Sequence, residues 1–237
     1  MRFLAIALLV SLPAVVAAKT TVDQSSTTAA TAPSPDPAWK VPEVLAFMGV
    51  KPGDQIAEIV AGRLTASLAR AVGPSGKVYA LETAEVVKAH PEALVRMRGL
   101  AAQMPNIVVS ADPVAAPLPH GLDIVFIRQN YHDLYDKFMG PADVAAFDRE
   151  VYAALKPGGV FVVLDHAAAA GSGISATETL HRIDPARVKA DLLAVGFKFD
   201  GASQILANPA DDHMKAVFAP EIRGKTDQFL FRFRKPK

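Results

Sequence analysis

Short apolar runs alternate with stretches of helical periodicity along most of this chain, from Trp39 to the C-terminus. The apolar runs predict seven strands, over residues 55–60, 77–81, 107–109, 122–127, 160–164, 197–206 and 229–233. The helical periodicity predicts five helices, over residues 41–48, 64–72, 91–103, 142–155 and 185–195. Strands that are apolar throughout and alternate with helices are typical of a parallel sheet covered on both faces. The pattern therefore predicts a doubly wound α/β fold.

The end of the chain departs from this regularity. Phe229, Phe231 and Phe233 alternate with residues of which two are arginines, and no helix fits clearly between this run and the preceding strand. A strand that follows its predecessor without a crossover helix pairs with antiparallel geometry. The sequence thus predicts a seven-stranded, mostly parallel sheet whose last strand is antiparallel and lies at or near an edge.

The first eighteen residues read as a secretory signal peptide, with Arg2, an apolar run and small residues up to Ala18. This run is shorter than the roughly 20 apolar residues that span a bilayer, so no membrane anchor is predicted. Residues 19–38 are rich in Ser, Thr, Ala and Pro and predict a flexible leader. The folded domain is expected over residues 39–237, in a protein that is exported to the periplasm or secreted.

Charge and cysteine content exclude several classes of function. The chain has 25 Lys and Arg against 24 Asp and Glu, so no global positive field attracts nucleic acid. The absence of cysteine excludes a disulfide scaffold, a zinc ribbon, an iron–sulfur cluster and a cysteine nucleophile. A small-molecule substrate is the expected partner.

Acidic residues and histidines follow the predicted strands, where open α/β sheets bind their ligands. Glu82 lies 20 residues after Gly62, the spacing at which an acid meets the ribose hydroxyls of a nucleoside. The alternative for Glu82 is a solvated acid that caps the next helix. Asp112 is a candidate for the adenine amino group, and a turn-forming role explains it equally well.

These residues resemble those of the class I S-adenosylmethionine-dependent methyltransferases across residues 39–236. The resemblance rests on acids near the ends of the first three strands, on the strand that begins at Asp123 and on the Lys-Pro-Gly-Gly turn at 156–159. More narrowly, the chain is similar to exported bacterial proteins predicted to be methyltransferases, through NYHDL at 130–134, TLHRID at 179–184, NPADDH at 208–213 and RGKTDQF at 223–229. The resemblance implies a Rossmann-like methyltransferase fold and transfer of a methyl group from S-adenosylmethionine to a small acceptor. The residues it implies for the cofactor are Glu58, Gly62, Glu82, Asp112 and Asn130.

The glycine-rich turn departs from the methyltransferase pattern of an acid followed by three alternate glycines. Val60 and Leu64 stand at two of the glycine positions and only Gly62 is retained. Added side chains at a turn that approaches the cofactor are expected to crowd its methionine moiety. An alternative is therefore an inactive, methyltransferase-like module that binds another nucleotide or metabolite.

Histidines supply the candidate catalytic groups. His132 follows the fourth strand, and Asp133 and Asn130 are placed to orient it as a general base; the alternative is a helix cap. His166 ends the fifth strand and is expected to face the same cleft. His181 and Arg182 follow a glycine-bearing stretch that resembles a lid, and His213 lies in a later loop. For His166, His181 and His213 a surface or capping role is the favoured interpretation.

The same side chains suggest a metal-dependent enzyme as a further alternative. His132 and His166, with one or two of Asp133, Asp165 and Asp212, make up an oxygen and nitrogen ligand set. No short metal-binding spacing supports it, so no metal ligands are predicted.

Overall fold

The computed structural model describes residues 37–237. The predicted signal peptide and most of the predicted leader lie outside the described residues. Within the described range, no helix combines the length and apolar character that a membrane span requires.

Seven strands and seven α-helices alternate along the described chain. The strands are β1 Gln55–Ile59, β2 Lys77–Thr83, β3 Ile107–Asp112, β4 Leu122–Arg128, β5 Leu155–His166, β6 Lys198–Ser203 and β7 Gln228–Arg234. The helices are α1 Val41–Met48, α2 Thr65–Val72, α3 Ala84–Ala89, α4 Pro91–Gln103, α5 Val144–Ala154, α6 Thr177–Leu180 and α7 Pro185–Val195. Short 3-10 helices lie at Pro37–Trp39, His132–Tyr135 and Lys137–Met139.

The strands form one sheet in the order β3-β2-β1-β4-β5-β7-β6. The pairs from β3 through β5 are parallel, and β7 pairs antiparallel with both β5 and β6. This confirms the predicted mostly parallel, doubly wound sheet with an antiparallel last strand. That strand lies next to the edge, because β6 covers its outer side. Strand order reverses between β1 and β4, so a crevice forms at their carboxyl ends.

Helices cover both faces of the sheet, which explains why its strands are apolar throughout. In β4, Val125 and Ile127 pack into the core formed with α5 and α7, whereas Ile124 and Phe126 pack into the core formed with α1 and α2. Successive side chains of a strand point to opposite faces, so each face needs its own apolar set.

The predicted bounds differ from the observed ones at several places, and β2 and β3 end two and three residues later than predicted. β5 begins at Leu155, directly after α5, because Leu155 pairs with Leu122 across a register shift in the sheet. The short helices α3 and α6 were not predicted, since each has a single buried residue in its helical span. β6 ends at Ser203, three residues before the predicted end.

Candidate functional site

A cleft of about 600 Å³ opens at the carboxyl ends of β1 and β4, at the reversal of strand order. It is lined by residues of the loop after β1, the end of β2, the loop after β4 and the end of β5, including Glu58, Gly62, Glu82, Asn130, His132, Asp133, His166 and His181. Of the eight residues that the sequence assigned to cofactor or catalysis, seven therefore share one cavity. Asp112 lines a neighbouring cavity instead.

Glu58 braces the turn that follows β1. Its side chain is buried, and its Oε2 accepts a hydrogen bond from Thr65 Oγ1 at 2.5 Å. Thr65 Oγ1 in turn accepts one from the backbone N–H of Gly62 at 3.1 Å. Burial raises the pKa of Glu58 to about 7, against the lowering effect of Thr65 and of the nearby charge of Arg128. The carboxyl group thus holds the turn and the start of α2 together.

The turn keeps a glycine-like backbone although two glycines are replaced. Val60 has a φ of 52°, in the left-handed region that a β-branched residue rarely adopts. A side chain at Gly62 would meet only the Val60 carbonyl oxygen, at 4.0 Å, so the space above this glycine is open. Leu64 is buried in the core beside α2 and does not line the cleft. The expected crowding of the methionine moiety therefore applies to Val60 alone.

Glu82 lies at the end of β2 between the cleft and a second cavity, of about 370 Å³. The residue is 2% exposed, and among the described residues neither carboxylate oxygen has a hydrogen-bond partner. Burial raises its pKa to about 7, partly offset by the charge of Arg96. Asp112 is exposed at the second cavity, among the turn residues Pro113 and Pro117. A buried carboxyl group with two unpartnered oxygens costs free energy that a hydrogen-bonding ligand would recover.

His132 is a buried polar group of the cleft, 2% exposed. Its Nδ1 lies 2.8 Å from Asp165 Oδ1, and its backbone N–H donates to Asp165 Oδ2 at 2.9 Å. Its Nε2 lies 3.2 Å from Asp133 Oδ1. Burial lowers the pKa of His132, but the charges and hydrogen bonds of Asp165 and Asp133 outweigh it and raise the pKa to about 10. Each ring nitrogen thus faces one of these two carboxylates; the general-base role stays a prediction.

Asn130 and His181 contact the same carboxylate. Asn130 Nδ2 donates to Asp133 Oδ2 at 2.7 Å, and His181 Nδ1 lies 3.8 Å from Asp133 Oδ1. Sequence reasoning grouped Asn130, His132 and Asp133 because they are neighbours in the chain. It grouped Asp165 with His132 only in the alternative metal-ligand set and did not predict their hydrogen bond, although parallel β4 and β5 bring their carboxyl ends side by side.

His166 lies behind His132, with ring centroids 6.4 Å apart. Its Nδ1 is 2.7 Å from Thr226 Oγ1, and burial lowers its pKa to about 4, so the ring is neutral. The residue is 9% exposed. The surface role favoured for it from the sequence is therefore wrong, because β7 and the preceding loop cover the end of β5.

Arg182 and His213 fix loops rather than face the cleft. Arg182 is fully buried and binds Asp211, the carbonyl oxygen of Ala167 and that of Lys215. His213 Nε2 lies 3.0 Å from Asp227 Oδ2. The glycine-bearing stretch before them is also tied down, because Asp184 accepts hydrogen bonds from the backbone of Gly171 and Gly173. The proposed lid is thus anchored at both ends.

Backbone strain collects in this cleft. Five non-glycine residues in the described chain have positive φ, and Val60, Gln129 and His181 among them line the cleft. Such conformations cost on the order of 1–3 kcal/mol each and concentrate at functional sites. The cleft therefore has the backbone signature of a functional site as well as its side chains.

Comparison with solved structures decides what this fold is. A SAM-dependent methyltransferase from Aquifex aeolicus matches with a TM-score of 0.57 and 18% identity, over 82% of this chain and 88% of that one. The N-methyltransferase NodS from Bradyrhizobium japonicum, in complex with S-adenosyl-L-homocysteine, matches with a TM-score of 0.58 and 14% identity, over 84% and 87%. The chain has the class I methyltransferase fold. SpnF, a 4+2 cyclase, shares it at 17% identity and a TM-score of 0.58, over 84% of this chain and 80% of that one.

No model of a known protein family matches the sequence, and no curated protein matches it. Two features of this chain's own site bear on the methyltransferase cofactor. The two unpartnered oxygens of Glu82 match the two vicinal hydroxyls of a ribose, and the open space above Gly62 admits a ligand against the backbone. The residues present fit S-adenosylmethionine.

Proposed function

We propose that this protein binds S-adenosylmethionine and transfers its methyl group to a small-molecule acceptor. The observation that carries the proposal is Glu82, a buried carboxyl group with two unpartnered oxygens at the end of β2. In a methyltransferase fold this is where a ribose is bound, and an acid there accepts from both hydroxyls. The cofactor, when bound, supplies an electrophilic methyl group.

The two cavities that meet at Glu82 divide the ligand between them. The apolar cavity beside Asp112, lined by Leu81, Val114 and Leu118, suits an adenine ring. The larger cleft takes the methionine end and the acceptor, with Gly62 and Asn130 on its wall. Glu58 acts through Thr65 and Gly62, by holding the turn in place. Alignment of acceptor and methyl group supplies most of the rate in such a transfer.

An arginine-lined cavity of about 250 Å³ adjoins the cleft and supports an acceptor with negative charge. The guanidinium groups of Arg63 and Arg128 lie 4.6 and 5.4 Å from the ring centroid of Trp39. Burial and the neighbouring charge of Arg63 lower the pKa of Arg128 to about 10. The repulsion between these two guanidinium groups is offset when an anionic group such as a carboxylate or phosphate binds between them.

We further propose that the protein works outside the cytoplasm, which rests on the sequence of its first eighteen residues. Mass spectrometry of the protein isolated from its natural host should then find Lys19 as the N-terminal residue. A chain that retains its first eighteen residues contradicts this part of the proposal and leaves the site unaffected.

The decisive experiment is isothermal titration of the purified chain with S-adenosylmethionine, S-adenosylhomocysteine and adenosine. We expect one molecule of either sulfur ligand per chain, bound more tightly than adenosine. Glu82→Gln keeps the shape and removes the charge, and should weaken binding at least about tenfold, since a charge-assisted hydrogen bond contributes about 1.5–3 kcal/mol. Glu92→Gln, an exposed acid on the rim of the same cleft, is the matched control and should bind like the parent.

Two results would overturn the proposal. Absence of binding by both sulfur ligands excludes methyl transfer from this donor. Adenosine binding as tightly as S-adenosylhomocysteine assigns the cleft to another nucleoside and favours the alternative of a methyltransferase-like binding module.

A further inference from the structure

Four side chains converge at the cleft within reach of a single ion. His132, Asp133, Asp136 and His181 each offer one ligand atom, and these atoms all lie within 4.8 Å of one another. We propose that these four residues bind a divalent first-row transition metal ion, of which Zn²⁺ is the model case. The sequence considered His166, Asp165 and Asp212 with His132 and Asp133, but the structure leaves those three outside the group.

Two distances within the group are close to those of a coordination shell. Asp133 Oδ1 lies 3.2 Å from His132 Nε2 and 3.8 Å from His181 Nδ1. Ligand atoms at about 2.0–2.2 Å from a tetrahedral ion are about 3.4 Å apart, so only small side-chain movements are needed.

Asp136 supplies a second and independent observation. The residue is 2% exposed, and its Oδ1 is buried with no hydrogen-bond partner among the described residues. Its backbone N–H bonds to the carbonyl oxygen of Asp133 and closes the 3-10 turn, and both residues contribute a carboxylate oxygen to the group. A buried carboxylate oxygen without a partner, on a residue of this group, is satisfied by a cation.

Neighbouring groups orient the ligands toward the ion. Asp165 accepts from His132 Nδ1, so a metal ion can take the place of the proton on Nε2, in the carboxylate–histidine–metal arrangement common in proteins. Asn130 donates to Asp133 Oδ2 and leaves Oδ1 for the same purpose. Each of these two ligands is therefore fixed from behind by a partner that does not itself coordinate.

The ligand chemistry selects the class of ion. Two imidazole nitrogens with two carboxylate oxygens suit Zn²⁺, Fe²⁺ or Mn²⁺ and disfavour Ca²⁺ and Mg²⁺, which prefer oxygen alone. His181 is 35% exposed and lines the cleft, so the ion would be accessible from the side where the acceptor is expected. The site does not depend on the methyl donor and stands if that proposal fails.

The test is metal binding by the purified full chain after removal of metal with a chelator. Titration with Co²⁺, followed by its visible d–d absorption, should show one ion per chain at micromolar affinity or better, displaced by Zn²⁺. Asp136→Asn and His181→Ala should each weaken binding at least about tenfold, the usual range for loss of a ligand or of its support. His120→Ala, an exposed histidine at the opposite end of β4, should bind metal like the parent.

His181→Ala tests the site even where a buried variant fails to fold, because its side chain is partly exposed and circular dichroism can confirm a native fold. Absence of Co²⁺ and Zn²⁺ binding at millimolar metal overturns the proposal. Unchanged affinity in both ligand variants overturns it equally, since the ion would then be bound elsewhere.

Discussion

Arg182 and Asp211 form an ion pair that is closed to solvent, with Nη2 2.8 Å from Oδ2 and side-chain exposures of 0% and 1%. Asp211 also accepts from the backbone N–H groups of His213 and Asp227. One buried carboxylate thereby joins the segment after α6, the loop after β6 and the start of β7.

Removing one partner of this pair should cost much of the stability of the fold. We expect Arg182→Met to lower the free energy of unfolding by about 3–5 kcal/mol, because it leaves Asp211 charged and buried without its cation. Chemical denaturation measures the change. Arg96→Ala, which breaks an exposed pair with Glu92, should cost less than about 1 kcal/mol. Equal losses in the two variants would contradict the structural role of Arg182.

Val60 should respond to substitution in an unusual order. At most positions glycine is less stable than alanine, by about 1 kcal/mol, because it gains freedom in the unfolded chain. At a φ of 52° alanine keeps the strain and glycine removes it. We therefore expect Val60→Gly to unfold at the same or higher denaturant concentration than Val60→Ala.

Val108 is the matched control for this order, since it is an exposed valine within β3, next to the strand's first residue. Val108→Gly should be the less stable of its two variants. If Val60→Gly were likewise less stable than Val60→Ala, the positive φ of Val60 would not be a source of strain.

Asp148 should make the fold more stable at low pH than at high pH. Its side chain is fully buried and accepts from Tyr131, and burial raises its pKa to about 8 despite that hydrogen bond and the charges of Arg149 and Arg187. The unfolded state loses this proton near its ordinary pKa of 3.8 while the folded state keeps it. The stabilising contribution of Asp148 is therefore complete below pH 3.8 and is lost as the pH rises through about 8.

Asp148→Asn cannot lose the proton, so its unfolding free energy should fall less steeply with pH, by up to about 1.4 kcal/mol per pH unit. Denaturant titrations at several pH values measure both slopes. The exposed variant Glu43→Gln should keep the parental slope. If the free energy of unfolding depends on pH equally in Asp148→Asn and in the parent, Asp148 is not the group that titrates.

Binding of S-adenosylhomocysteine should weaken as the pH falls. In the proposed complex Glu82 accepts from the ribose hydroxyls as a carboxylate, and its pKa of about 7 in the free protein means that binding must displace a proton at lower pH. The dissociation constant should rise about tenfold per pH unit below that value for each such group. Glu58, also with a pKa of about 7, lines the same cleft and adds to the slope.

Titration calorimetry of Glu82→Gln across the same pH range separates the two acids. In Glu82→Gln the dissociation constant should depend less steeply on pH, because Glu82 no longer releases a proton on binding. Any contribution of Glu58 to the pH dependence should remain. The same dependence on pH in the variant and the parent would contradict the proposed contact between Glu82 and the ribose.

The sheet could be predicted from the sequence because burial on two faces leaves a plain signal. Strands such as β4 carry apolar side chains on both faces, and α4 ends where its periodicity ends, at Gln103. Short elements carry no such signal. α3 depends on one cap, in which Thr83 Oγ1 accepts from Val86 N, and on one buried side chain.

The site was predicted in part for the same reason. Acids and histidines at strand ends follow from the fold class, and they do meet in one cleft. Contacts between distant segments could not be read, such as Asp136 beside His181 or Arg182 beside Asp211. A buried arginine is contrary to residue statistics and becomes favourable only once its carboxylate and carbonyl partners are assembled.

The antiparallel β7 has a consequence for the evolution of this protein. Because β6 and β7 run in opposite directions, residues 204–227 leave and re-enter the sheet at the same end of the strands, the end at which the cleft opens. That segment supplies Val217, Phe218 and Arg223 to the two cavities proposed for the acceptor. Under that proposal, substitutions and insertions there alter which molecule is bound while every strand pairing is preserved, so acceptor choice and fold are free to evolve separately.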